Sequence, residues 1–363
     1  MKNFINKIHY SKNLKLHQLF LKFILSFGTI FYSVGVTFRN LLYDIGLLPK
    51  TKVKATVISI GNLTTGGTGK TPITAEIAKL CVKSGKKVAV LSRGYGGKLS
   101  SKEIHQVSDG EKVFLTAEES GDEPFWLASN IKKAAVIICK DRVKAAEWAI
   151  KELGTEIFIL DDGYQYRRLE RDLNILLVDG HKKFGNEMLL PAGPLREPQK
   201  EAKRADKIIV VNKTPYSEES VRDCRAYSRH IIKLYDKEVF GCHLSASGIH
   251  NILTKSPVFN SQKVFAFTGI AQPESFFESL EAYKHTLVKK LEFEDHYAYT
   301  QEDLQKIIDE AKISEANIIV TTEKDMVKLK PFIDKTKSDI PICILRLVVE
   351  MDIANLLKNT IEY

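Results

Sequence analysis

The stretch that most limits the fold runs from residue 57 to residue 80. An apolar run, Val57-Ile58-Ser59-Ile60, enters a turn rich in glycine, Gly61-Asn62-Leu63-Thr64-Thr65-Gly66-Gly67-Thr68-Gly69, and a helical pattern leaves it from Lys70-Thr71-Pro72 to Leu80. Strand, glycine turn, then helix is the context in which a phosphate-binding loop makes physical sense. Glycines let backbone N–H groups close around phosphate oxygens, and the helix N-terminus adds partial positive charge. Thr65, Gly66, Gly67, Thr68, Gly69, Lys70 and Thr71 form the expected cradle. Lys70 would reach the β- and γ-phosphates, and the Thr71 hydroxyl would hold Mg²⁺. The general pattern asks for glycine at position 64, where this chain has Thr64.

That loop implies a parallel sheet, and the chain supplies one. Further short apolar runs at 88–91, 134–139, 157–160, 175–178 and 208–211 read as strands, with helical patterns at 71–84 and 143–153. Short apolar runs separated by helices argue for strands buried on both faces. After a charged stretch at 216–244, a second set follows: strands at 264–267 and 317–321, helices near 273–282 and 301–311. At 363 residues the chain exceeds one typical domain. The expected fold is α/β: a phosphate-loop core with a mostly parallel sheet over 49–235 and a smaller C-terminal α/β domain over 236–363.

Residues 1–48 differ in character. Lys2, Lys7, Lys12 and Lys15 precede an apolar run in which 23–38 carry no charge. A 16-residue helix covers about 24 Å, short of a roughly 30 Å hydrocarbon core. A short spanning anchor, a helix in the interface and a core helix all fit, and the basic flank favours partial insertion from the cytoplasmic face. Net charge is +9, which suits anionic partners, but no finger spacing or aromatic-interleaved basic repeat points to nucleic acid. Five cysteines without a C-x-x-C pair read as reduced core residues.

Several polar constellations follow strands. Ser92-Arg93-Gly94-Tyr95-Gly96-Gly97 suits close approach to a phosphate or sugar, or is a mobile turn. In Gly121-Asp122-Glu123-Pro124 the carboxylates either cap the next helix or supply a base facing the phosphates. Asp161-Asp162-Gly163 ends an apolar strand, where phosphate-loop enzymes place the carboxylate that supports Mg²⁺. Consecutive residues point to opposite sides of a strand end, so one aspartate can serve the metal and the other a neighbour. Arg196, in a proline- and glycine-fixed loop, could fork onto a phosphate. His296 lies among carboxylates in 293–297, and Thr321-Thr322-Glu323-Lys324-Asp325 follows a strand.

Taken together the pieces GNLTTGGTGKTP, SRGYGG, GDEP, LDDGYQ, RDLNILLVDG, FGN, LLPAGPLRE, FEDHY and TTEKD, in that order from Gly61 to Asp325, resemble the tetraacyldisaccharide 4′-kinases of lipid A biosynthesis. The chain departs from that family at Tyr166, where a histidine is usual. The resemblance implies transfer of the ATP γ-phosphoryl group, with Mg²⁺, to the 4′-hydroxyl of a tetraacyl glucosamine disaccharide 1-phosphate. It places the enzyme on the cytoplasmic face of the bacterial inner membrane, peripheral or anchored by its N-terminal segment. It implies Asp122 and His296, with Lys70, as catalytic residues, and Thr71, Asp161 and Asp162 near the metal. Arg93, Tyr95, Arg142, Gln165, Arg196 and Glu197 would line the substrate cleft. No nucleic acid and no obligate protein partner is implied. The main rival is a membrane-attached phosphate-loop ATPase or GTPase switch acting on a partner protein. Such a switch positions water and needs no second phosphate- and sugar-binding surface like SRGYGG with LLPAGPLRE.

Overall fold

A computed structural model describes residues 2–11, 13–213, 215, 217–270, 273–336 and 338–361. Two helices come first, α1 (Lys2–Tyr10) and α2 (Leu16–Asp44). The first half of the sheet follows as β1 (Thr56–Asn62), α3 (Lys70–Lys83), β2 (Val88–Ser92), β3 (His105–Ser108), α4 (Ala117–Ser120), α5 (Asp122–Asn130), β4 (Ala134–Ile138), α6 (Arg142–Leu153), β5 (Ile157–Leu160), β6 (Leu173–Asp179) and β7 (Lys207–Asn212). After α7 (Glu218–Tyr235) come β8 (Glu238–Asn251), β9 (Pro257–Val258), β10 (Lys263–Thr268), α8 (Pro273–Ala282), β11 (Thr286–Glu292), α9 (Gln301–Ile313), β12 (Ile318–Thr322), α10 (Glu323–Ile333), β13 (Ile342–Glu350) and α11 (Ile353–Leu357).

Among the described residues the strands form one sheet, ordered β11-β10-β12-β13-β8-β7-β6-β1-β5-β2-β4-β3, with β9 beside β8. Pairing is parallel except at β3/β4, β8/β13 and β8/β9. The expected boundary at residue 235 falls between α7 and β8, and β8 belongs to both halves. Its first residues run parallel to β7, Lys207 opposite Glu238 to Asn212 opposite His243. The rest runs antiparallel to β13, from Glu350 opposite His243 to Cys343 opposite Asn251.

Every residue of β2, β4, β5 and β6 is buried, because helices cover both faces. Ile73, Ile77 and Cys81 of α3 pack with Leu127 and Ile131 on one side. Ala145, Ala146 and Ala149 of α6 pack with Phe158 and Leu160 on the other. The five cysteines are buried and unbridged. In the C-terminal half, α9 and α10 cover one face and α8 the other.

Helix α2 has an unusual polarity. Phe20, Phe23, Phe27, Phe31, Val34 and Phe38 are exposed, Phe31 at 80%. Its docked stripe is the polar one. Thr29 Oγ1 receives the Ala192 N–H at 3.1 Å and donates to Leu189 O at 3.2 Å. The Tyr32 hydroxyl donates to Arg196 O at 2.8 Å, and Arg39 pairs with Glu197. Gly28 permits this close approach, since a Cβ there would sit 3.2 Å from the Pro191 ring. The helix is long and apolar enough to cross a membrane by length and composition.

Candidate active site

The glycine loop leaves β1 and opens α3 at Lys70, with Gly69 as its cap at φ +81°. A Cβ at Gly69 would lie 2.3 Å from the Leu244 side chain, so only glycine fits. Gly66 also has a positive φ, +103°. Thr64 is buried and bridges to Leu195; position 64 is spent on tying the loop to the 189–197 segment. The Thr65 N–H donates to Pro194 O at 2.7 Å and Leu63 O accepts from the Arg196 N–H at 2.7 Å. Thr68 is buried, and Thr71 occupies the second position of α3.

Lys70 lies at the meeting point of two strand ends. Its Nζ donates to Asn62 Oδ1 at 3.1 Å and stands 3.5 Å from Asp162 Oδ1. Asp162 also accepts from Arg196 at 2.7 Å. Its φ of +50° is uncommon for a residue other than glycine. The two aspartates do diverge. Asp161 turns into the protein and accepts from Thr74 Oγ1 at 3.3 Å. Burial, then Glu123 and Asp162, push its carboxyl up to about 7. Burial would raise Asp162 too, but Lys70, Arg196 and Arg142 outweigh it and hold that carboxyl down at about 2. Asp162 Oδ1 is buried without a hydrogen-bond donor. That acceptor fits a divalent cation that takes few protein ligands and completes its shell with water and phosphate. Among the described residues no group of three or more His, Cys, Asp or Glu side chains forms a metal cage.

A second cluster assembles from both halves of the sheet. Asp122 is the first residue of α5, whose cap is Gly121. The Asp122 carboxylate does not cap the helix. Its Oδ2 meets His296 Nδ1 at 3.1 Å and lies 3.5 Å from Lys328 Nζ. His296 holds a left-handed backbone, φ +63°, with its N–H on Gly269 O at 3.2 Å. Strain of this kind persists where the surroundings over-determine it, often at functional sites. Lys324 Nζ lies 3.4 Å from His296 Nε2 and 3.8 Å from Asp295. Burial would raise the Asp122 carboxyl, but His296, Lys328 and Lys324 outweigh it and hold it below its usual value. The ring of Tyr95 stands edge-on to His296, centroids 6.2 Å apart. Tyr95 reaches there because 92–97 packs on 119–121: a Cβ on Gly121 would lie 2.4 Å from Tyr95 O.

The remaining expected residues divide. Arg93 is exposed, close enough to Arg142 that their charges repel. Arg142 is buried, its guanidinium over the Tyr166 ring at 5.0 Å and its charge felt by Asp162 and Asp161. Tyr166, where the resemblance leads one to look for histidine, donates its hydroxyl to Asp141 Oδ1 at 2.9 Å, the cap of α6. Gln165 donates to Asn62 O at 2.8 Å, bracing the loop's entry. Glu197 is fully buried between Arg39 and Arg204, so no part of it is open to a ligand. Sequence reasoning passed over Lys213 and Lys328. Lys213 follows β7 and donates to Gly67 O at 2.6 Å while pairing with Asp179 at 2.6 Å. A lysine set directly after a buried apolar strand was the available signal. Lys328 lies four residues past Lys324 on α10, and only the tertiary fold brings that face to Asp122.

Comparison with known proteins points to one family. The family model for tetraacyldisaccharide-1-P 4′-kinase (LpxK) matches residues 21–362. A tetraacyldisaccharide 4′-kinase of Geobacter metallireducens is 41% identical over 308 residues, 84% of this chain and 87% of that protein. One from Syntrophus aciditrophicus is 38% identical over 333 residues, covering 89% and 87%. The crystal structure of LpxK from Aquifex aeolicus in complex with ATP superposes with a TM-score of 0.73 at 32% identity, covering 94% of this chain and 98% of that one. The chain belongs to the tetraacyldisaccharide 4′-kinase family, the phosphotransferases that phosphorylate the 4′ position of tetraacyldisaccharide 1-phosphate in lipid A biosynthesis.

Proposed function

We propose that the two clusters are the two sides of one phosphoryl-transfer site. ATP would lie with its phosphates in the 65–71 loop, and the 4′-hydroxyl of the lipid disaccharide would approach beside Asp122. The observation that carries this reading is the 3.1 Å contact between Asp122 and His296, which joins residues 174 positions apart on opposite halves of the sheet.

Phosphoryl transfer asks mainly for positioning and charge neutralisation. Lys70 and the loop amides hold the β- and γ-phosphates. Thr71, Asp162 and Asp161 are the residues that would hold Mg²⁺, which when bound would neutralise charge on the phosphates. Asp122 accepts the hydroxyl proton late in the transfer, so its pKa need not be high. His296 orients that carboxylate, and Lys324 and Lys328 keep it ionised. Arg142 and Arg93, near Asp162, and Tyr95, beside His296, are the residues a sugar and its phosphate would meet. Arg196 fixes Asp162, and Glu197 braces the 189–197 loop against α2.

The exposed apolar face of α2 supports membrane binding in the plane of the interface. Spanning would strip Thr29, Tyr32 and Arg39 from the loops they hold. With Lys7, Lys15 and Lys22 alongside, an anionic cytoplasmic leaflet suits the segment. The 236–363 portion reads as the smaller lobe that carries His296 to the site.

The test is mass spectrometry of a tetraacyl disaccharide 1-phosphate incubated with enzyme, Mg²⁺ and ATP. Gain of one phosphate at the 4′ position is the expected product, and Lys70→Ala should abolish it without altering the melting profile. Wild-type turnover by that variant would remove the loop from the mechanism.

A further inference from the structure

Helix α1 has no part in the site described above, and it precedes the residues that the family model matches. It is nevertheless firmly docked. Ile8 is wholly buried and His9 nearly so. The Asn186 backbone N–H donates to His9 O at 2.8 Å, and its Nδ2 donates to Ile8 O at 3.1 Å. Those are last-turn carbonyls that a helix cannot satisfy by itself. His9 Nε2 meets Pro191 O at 3.0 Å, so that nitrogen carries the proton. Gly185 leaves room for the contact, since a Cβ there would lie 2.8 Å from His9 O.

What the docked helix delivers is Tyr10. Its hydroxyl donates to Thr65 O at 2.9 Å, and Lys182 Nζ sits over its ring at 5.2 Å. Tyr10 lines a narrow cleft with Thr64, Thr65, Gly66, Gly67 and Thr68. Lys213 holds a second loop carbonyl, that of Gly67. In a trans peptide the carbonyl and the following N–H point opposite ways. Fixing the carbonyls of Thr65 and Gly67 therefore fixes the N–H groups of Gly66 and Thr68, donors a phosphate oxygen can use. Gly66 would otherwise let this turn sample many conformations.

We propose that α1 is a strap that sets the glycine loop, with Tyr10 as a positioning residue for the nucleotide phosphates. The proposal rests on reading the loop as the nucleotide site. Full-length Tyr10→Phe keeps the ring and removes only the donor. Its KM for ATP should rise about 3- to 10-fold, the worth of one hydrogen bond, while kcat and the KM for the lipid stay at wild-type values and the melting temperature falls by a few degrees at most. Amide exchange at Gly66 and Thr68 should quicken. Asn186→Ala, which loosens the docking of α1, should raise the same KM. The double variant should lose no more than the worse single one, because both act through one contact. An unchanged KM for ATP in Tyr10→Phe overturns the strap, as does a parallel fall in kcat and melting temperature, the mark of general loosening. Strictly additive losses in the double variant overturn it too. Lys70→Ala reports on the underlying reading separately: full turnover there would overturn both, whereas its loss beside an unchanged Tyr10→Phe would overturn the strap alone.

Discussion

At the scale of single residues, the Asp122–His296 pair is open to a sharp test. A capping role is already unsupported, since Gly121 caps α5 and the carboxylate points at His296. Asp122→Asn has nearly the same shape but cannot take a proton, so kcat should fall roughly 10²–10⁴-fold with ATP binding retained. His296→Ala should also slow turnover, and the double variant should lose less than the product of the two, because residues acting as a unit are non-additive. Steady-state kinetics on the three variants decide this, and multiplicative losses would break the partnership. The charge on Asp122 also has a pH signature. A carboxyl with a lower pKa folded than unfolded adds stability above its unfolded value, here near 3.8, and that contribution disappears as pH falls through the folded value. The melting-temperature gap between wild type and Asp122→Asn should therefore be wider at pH 7 than at pH 3. A gap independent of pH would show that His296, Lys324 and Lys328 do not stabilise the ionised form. Motif spacing could nominate Asp122 and His296 from the sequence. It could not nominate Lys328, which carries no motif and arrives only through the packing of α10 against α5.

Among the elements, α2 separates what a sequence shows from what it hides. Its uncharged run at 23–38 was legible, but its length was not: the helix runs from Leu16 to Asp44, about 44 Å at 1.5 Å per residue. Nor was its docked stripe, because the partners of Thr29 and Tyr32 are main-chain carbonyls more than 150 residues away. The same blindness applies to Glu197. It looked like a cleft residue, and its burial depends on Arg39 of α2, a contact across 158 positions. Exposed Phe23, Phe27 and Phe31 should each contribute about 1.5 kcal/mol or more on entering a bilayer, tenfold or so apiece. Replacing all three with Ser should release the protein from anionic vesicles in a co-sedimentation assay while leaving its melting temperature unchanged. Vesicle binding at the wild-type level would move the membrane contact to another surface.

In the whole molecule, the alternation of short apolar runs made the parallel α/β class legible, and β1, β2, β4, β5, β6, β7, β10 and β12 lie where the pattern put them. The strands β3, β8, β9, β11 and β13 were not legible. β8 mixes exposed, half-buried and buried positions along its length, so neither a continuous apolar run nor strict alternation marks it. Because β8 pairs with β7 at one end and β13 at the other, the two halves share a backbone ladder. They should therefore unfold in one calorimetric transition, with the calorimetric and van't Hoff enthalpies equal; two resolved transitions would make them independent domains. The small helix α11 adds a consequence in the order of synthesis. Leu356 and Leu357 are fully buried and share a core with Ile73 and Ile77 of α3, the helix that Lys70 opens. Those leucines leave the ribosome long after every residue of the glycine loop. A partly made chain thus carries the whole loop sequence on a helix that still lacks one of its packing partners. The core beneath the helix that opens at Lys70 is therefore completed only once α11 has been made.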